Sequence, residues 1–167
     1  MERKRDYPRT FKNRLSKKGK QEVELVAKKY KEIKFDVIYA SPMMRTMQTA
    51  NIMNRYHNLK IIKYDRLMEL DQGIFTGKVK ARLSPEEKIQ RISRNPNCGM
   101  ESYESAFTRT KDFADFLKTL NFKNILVVSH NINTSCLENI LTKQLTDFKT
   151  PSTMNKFKNA DIKQFKC

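Results

Sequence analysis

The sequence predicts an α/β fold, a three-layer sandwich in which helices flank a mostly parallel sheet. Three observations carry that prediction. Short runs rich in β-branched and aromatic residues, "FDVIYAS", "LKIIKYD" and "NILVVSH", alternate with longer segments of helical period. The run "ILVV" is apolar on both faces, as in sheets covered on both sides. At 167 residues the chain has the size of one ordinary domain, so a single domain over 1–167 is expected.

Each element has a local reason. Ser16 is placed to cap a helix in "LSKKGKQEVELVAKKYKEI", where Val23, Val26, Ala27 and Tyr30 share one face and lysines the other. "FDVIYAS" reads as a strand closed by the Ser-Pro turn, followed by a helix from Met44 to Tyr56. "LKIIKYD" is a second strand, and "RLMELDQGIFTGK", with two glycines and no clean period, is an ordered loop. Ser84 as N-cap, Pro85 at the first helical position and Glu86 and Glu87 in the first turn open a helix that Pro96 is expected to close. A longer helix spans about Tyr103 to Leu120, burying Phe113, Phe116, Leu117 and Leu120. "NILVVSH" is expected as the central strand, "NTSCLENILTKQL" as a helix, and "ADIKQF" as an edge strand.

Composition narrows the function classes. No apolar run has the length of a membrane span or a signal-peptide core, so a cytoplasmic protein is expected. Cys98, Cys136 and Cys167 are widely spaced without a second metal-ligand partner, which supports neither a disulfide framework nor a metal site. The net charge of +16 is concentrated at the start, where residues 1–34 hold 13 Lys and Arg against 5 Asp and Glu. Such a surface is first a solvated lysine coat. Nucleic-acid binding is the weaker alternative, since no aromatic-and-basic repeat accompanies the charge.

In open α/β sheets ligands bind beyond the carboxyl ends of the strands, so the residues just after each strand matter most. The first strand delivers "SPMMR" and Arg45 at a helix start; the third delivers "SHN" and His130 at another. The loop after the second strand delivers Glu69. A guanidinium, an imidazole and a carboxylate converging on one mouth suit phosphoryl transfer with general acid catalysis.

Taken in order, "LSKKGKQEV", "FDVIYASPMMRTMQTANIM", "LMELDQGIFTG", "GMESYESAFTRTKDF" and "NILVVSHN" resemble the histidine phosphatase superfamily, the phosphoglycerate mutase-like proteins. The resemblance runs from about Arg5 to Ile162 and favours a small phosphatase type. It implies that Arg45 and His130 bind phosphoryl oxygens and that Glu69 protonates the leaving group. Backbone amides from Asn131 onward are implied as further donors, with no metal or other cofactor. The implied partner is a phosphorylated small molecule or a phosphoprotein. Asn131 stands where the family usually has glycine.

A second departure concerns the nucleophile. The family's is a histidine in an Arg-His-Gly tripeptide ending a first central strand, and no such tripeptide occurs in this sequence. The sequence has two histidines, and His57 in "NRYHNLK" reads as a surface loop residue at the wrong end of the sheet. Aligned on the family, Lys4, Arg5 and Asp6 follow directly after the motif position. The expectation is therefore a family member without its first strand and nucleophile, having little or no phosphatase activity, or else a pseudoenzyme that binds a phosphorylated ligand. Between Gly77 and Glu101 the residues Lys78, Lys80, Arg82, Arg91 and Arg94 read first as a solvated helix face, and second as contacts for an anionic substrate.

Overall fold

The computed structural model describes residues 13–142 and 157–165. Lys4, Arg5, Asp6 and Cys167 lie outside them. The described chain has three strands, β1 (Val37–Ala40), β2 (Ile61–Lys63) and β3 (Ile125–Val128), and five α-helices. These are α1 (Lys17–Lys29), α2 (Met44–Met53), α3 (Pro85–Ile92), α4 (Tyr103–Lys118) and α5 (Asn131–Leu141). The sheet is parallel throughout in the order β2-β1-β3. Its register sets Ala40 opposite both Lys63 and Val128, so the strands end at one level.

Two cores sandwich the sheet. On one face Ile38, Ala40, Leu126 and Val128 pack with Val23 and Ala27 of α1 and with Ala50, Ile52 and Met53 of α2. On the other, Val37 and Tyr39 pack with Phe113, Ala114 and Leu117 of α4 and Leu137 of α5. Tyr39, Tyr64, Phe113 and Phe116 form one aromatic group there, with Tyr64 stacked on Phe116 and Tyr39 edge-on to both phenylalanines. Below the sheet, the Asp36 carboxylate accepts from the amides of Lys123 and Asn124 at 2.7 and 2.8 Å, which pins the entry of β3 to that of β1.

The helix starts follow the caps. Ser16 accepts from the Gly19 amide, Ser102 from that of Ser105, and Ser84 forms a full capping box with Glu87. The ends depart from expectation. Helical structure from Met44 tightens into a 3-10 turn at Asn54, and α4 stops at Lys118. Pro96 does not close α3. Arg94 does so, at φ +51, while the Asn95 amide reaches back to the Gln90 carbonyl in a Schellman arrangement.

Two strand expectations are corrected. Among the described residues β3 pairs with β1 alone, and the central strand is β1, buried at all four positions. Helices cover both faces of β3, so its apolar character needs no second neighbouring strand. "ADIKQF" forms no strand, because Ala160 turns the chain at φ +54. His57 is half-buried at the amino end of the sheet, its ring edge-on to Phe35 at 4.9 Å, and so is not a bare surface residue.

The cores make a direct expectation. Phe113 is 0% exposed, and Phe113→Ala should cost about 3–5 kcal/mol in urea unfolding. Leu25→Ala, at a position 69% exposed on α1, should change stability by less than about 0.5 kcal/mol.

Candidate active site

The common strand level brings three sequence-chosen side chains together. The chain leaves β1 through Ser41 and Pro42 and turns into α2, where the Thr46 hydroxyl donates to the carbonyls of Ser41 and Met43 at 2.9 and 2.7 Å. That turn sets Arg45 in the first turn of α2, over the carboxyl edge of the sheet. Leaving β3, Ser129 donates to the Leu67 carbonyl at 2.7 Å, tying β3 to the loop that carries Glu69. His130 is the N-cap of α5 with extended backbone, and its side chain makes no capping bond.

Arg45 Nη2 donates to His130 Nδ1 at 2.9 Å, and His130 Nε2 lies 2.9 Å from Ser41 Oγ. A guanidinium has only donors, so Nδ1 must accept and the proton sits on Nε2, donated to the serine. Burial, together with the guanidinium charges of Arg45 and Arg109, pushes the His130 pKa down to about 3. The imidazole is therefore neutral at neutral pH. Glu69 Oε2 lies 4.0 Å from Arg45 Nη2 and 3.9 Å from His130 Nδ1, while its Oε1 accepts from the Leu70 amide at 3.0 Å. Desolvation raises the Glu69 pKa, with the Leu70 amide and the Arg45 charge opposing it.

A groove of about 500 Å³ is lined by Arg45, Glu69, His130 and Asn131 at its mouth and by Val23, Leu126 and Val128 further in. Asn131 begins α5 with helical backbone, so its side chain imposes no strain where the family favours glycine. Its Oδ1 accepts from the Phe157 amide at 3.1 Å, bringing residues 157–162 to the rim of the groove. The first amides of α5 have no intrahelical acceptors and border this mouth.

Sequence reasoning missed the frame behind these residues. The Arg109 guanidinium clamps both oxygens of Glu101 at 2.6 and 3.1 Å, and Glu101 Oε2 also accepts from the Asp71 amide at 3.2 Å. This ties α4 to the Glu69 loop. Gly73, in that loop at φ +52, sits where a Cβ would lie 1.9 Å from the Cys98 carbonyl, so only glycine fits. Ser41, the partner of His130, was visible only as part of a turn. His57 contributes nothing at the mouth, because its contact with Phe35 lies at the opposite end of the strands.

A parallel sheet between helical layers, with a guanidinium, a buried imidazole and a carboxylate over its carboxyl edge, defines an open α/β protein whose candidate site lies where such sheets take their ligands. The sequence model of the histidine phosphatase superfamily (branch 1) matches residues 2–163, and the chain belongs to that family. It is 32% identical over 125 residues to phosphoserine phosphatase 1 of Hydrogenobacter thermophilus, covering 71% of this chain and 59% of that protein. It is also 32% identical over 131 residues to a probable phosphoglycerate mutase GpmB of Enterobacter, covering 74% and 60%. The chain thus spans about three-fifths of the length of these relatives. A phosphoglycerate mutase from Bacillus anthracis superposes with a TM-score of 0.66 at 26% identity, covering 83% of this chain and 73% of that one. Bacillus stearothermophilus YhfR gives 0.71 at 17% identity, covering 91% and 87%, a likeness of fold. No helix among the described residues is long and apolar enough to cross a membrane.

The hydrogen-bonded imidazole has a measurable signature. The His130 ring resonances should stay in the neutral Nε2–H form down to pH 5, with a midpoint near 3, in proton and nitrogen NMR. A midpoint between 6 and 7 would contradict the bond from Arg45.

Proposed function

We propose that this chain binds the phosphoryl group of a phosphomonoester at the mouth between β1 and β3, and that the 167-residue polypeptide turns such an ester over very slowly. The observation that carries the reading is the convergence of Arg45, His130 and Glu69 within 4.0 Å of one another over the start of two helices. Nothing in the packing of the sheet requires these three polar groups together, and phosphate binding gives each one work.

Arg45 supplies a fixed positive charge and planar donors, and the leading amides of α5, beginning at Asn131, supply neutral ones. His130 positions the guanidinium through Nδ1. Glu69, its pKa raised by burial, retains its proton to a higher pH than an exposed carboxylate, which suits a group that protonates a departing alkoxide. The ligand class is a phosphorylated small molecule or a phosphoprotein, in keeping with relatives named as a phosphoserine phosphatase and a phosphoglycerate mutase.

Slow turnover follows from the imidazoles. Of the two histidines in the sequence, His130 has both ring nitrogens in hydrogen bonds and His57 lies at the amino end of the sheet. Neither offers a nitrogen to phosphorus at the mouth, since His57 Nε2, although it has no hydrogen-bond partner, is buried beside Phe35 at the far end of the strands.

Calorimetric titration with inorganic phosphate tests the pocket. Arg45→Met should weaken binding at least tenfold, as expected for a charge-assisted contact worth about 1.5–3 kcal/mol. Unchanged affinity would overturn the pocket. Release of p-nitrophenol from its phosphate ester should fall far below the rate of about 1 to 10³ s⁻¹ usual for enzymes. A rate inside that range would overturn the slow-turnover reading.

A further inference from the structure

The Glu69 carboxyl reaches the mouth without a direct bond to Arg45 or His130. Its Oε2 stands 4.0 Å from Arg45 Nη2 and 3.9 Å from His130 Nδ1, beyond hydrogen-bond length, and its Oε1 accepts from Leu70, the next residue of its own chain. Its place is therefore set by the backbone that carries it, residues 66–71. From Met68 to Asp71 that segment belongs to no helix or strand.

One ion pair holds both ends of the segment. At the entry, Arg109 Nη1 donates to the Arg66 carbonyl at 2.5 Å, beside Asn133 Nδ2 on the same carbonyl at 3.0 Å. At the exit, Glu101 Oε2 accepts from the Asp71 amide at 3.2 Å, and the Glu101 amide donates to the Asp71 carbonyl at 3.2 Å. Arg109 joins the two ends, through Nε to Glu101 Oε1 at 2.6 Å and Nη2 to Oε2 at 3.1 Å. The contacts close a ring, Arg66 to Arg109 to Glu101 to Asp71, with Glu69 on the span between its ends. The pair is largely withdrawn from water, its side chains 18% and 15% exposed, and an apolar pair of similar volume is often as stable in such a place. Packing alone does not call for charge here. The guanidinium fork adds direction, because it holds two carboxylate oxygens and a carbonyl at fixed angles.

We propose that Arg109 and Glu101 are positioning residues, which hold Glu69 beside the anion that Arg45 binds. The inference rests on the reading of this mouth as a phosphate site. Neither residue lines the groove, so each acts through the Glu69 segment. The charged and titratable groups that face the Glu69 carboxyl are Arg45 from α2, His130 at the end of β3, Arg109 on α4 and Glu101 just ahead of α4. Arg109 and Glu101 act on its proton in opposite directions, so removing both together preserves the balance of charge and isolates position.

The test is calorimetry of the whole chain with sulfate, which keeps two negative charges from pH 4 to pH 8, at fixed ionic strength. In the unaltered protein affinity should fall about tenfold as Glu69 ionises across that range, the order set by a unit charge beside a dianion. His130, its pKa pushed down to about 3, stays neutral throughout. Glu69→Gln should flatten the profile to within about twofold. The joint variant Glu101→Gln, Arg109→Met should flatten it likewise, chiefly by tighter binding at pH 8, whereas general damage weakens binding at every pH. Arg109→Lys keeps the charge and gives up the fork; it should do the same, and it decides the matter if thermal melts show the joint variant unfolded. Removing an exposed pair of α4 with Lys111→Met and Asp115→Asn should keep the tenfold fall. A full fall retained in a folded pair variant, or one that survives Glu69→Gln, overturns the positioning role and leaves the anion mouth standing. No sulfate binding at any pH overturns both.

Discussion

The register of β1 against β3 is the constraint on which the site depends. With Ala40 opposite Val128, the residues that follow, Ser41 on one strand and Ser129 and His130 on the other, emerge at one height. The Ser41 hydroxyl then meets His130 Nε2 without either backbone leaving its path. Because strand side chains alternate with period two, a slip by one residue would send the inward set outward and break both sheet faces. The Asp36 carboxylate across the two strand entries and the aromatic group around Tyr39 hold that register from below and from one face.

The same burial that fixes His130 decides its chemistry. An imidazole 6% exposed beside an arginine cannot take up a second proton cheaply, so it accepts from the guanidinium and orients it. Glu69 feels the opposite consequence of desolvation and holds its proton longer. Burial beside the guanidinium thus keeps the imidazole neutral and lets the carboxyl hold its proton to higher pH, a difference that arises from environment and not from residue type.

Much of this was legible in the sequence, for identifiable reasons. Arg45, Glu69 and His130 each follow a strand signal directly, and the strand-end rule needs only that adjacency. Ser16 and Ser84 could be read as helix starts because capping is local chemistry. Three features resisted. The apolar faces of β3 suggested a central strand, but covering helices produce the same composition as flanking strands. Arg94 closes α3 in a conformation usual for glycine, held by carbonyls from residues 71 and 101 that no local pattern announces. The Arg109 clamp on Glu101 also depends on tertiary approach to the Asp71 loop, which spacing cannot convey.

The two described cysteines carry a consequence for how the molecule opens. Cys136 is 0% exposed between α4 and α5, and burial pushes its thiol up to about 12, while Cys98 is buried in the separate cluster with Phe75, Leu83 and Met100. A thiol deprived of solvent and charge reacts only when its surroundings part. Each sulfur therefore reports on a different part of the packing, one on the contact of α4 with α5 and one on the cluster around Phe75, Leu83 and Met100. The relative speed with which they alkylate measures whether these two clusters open together or apart.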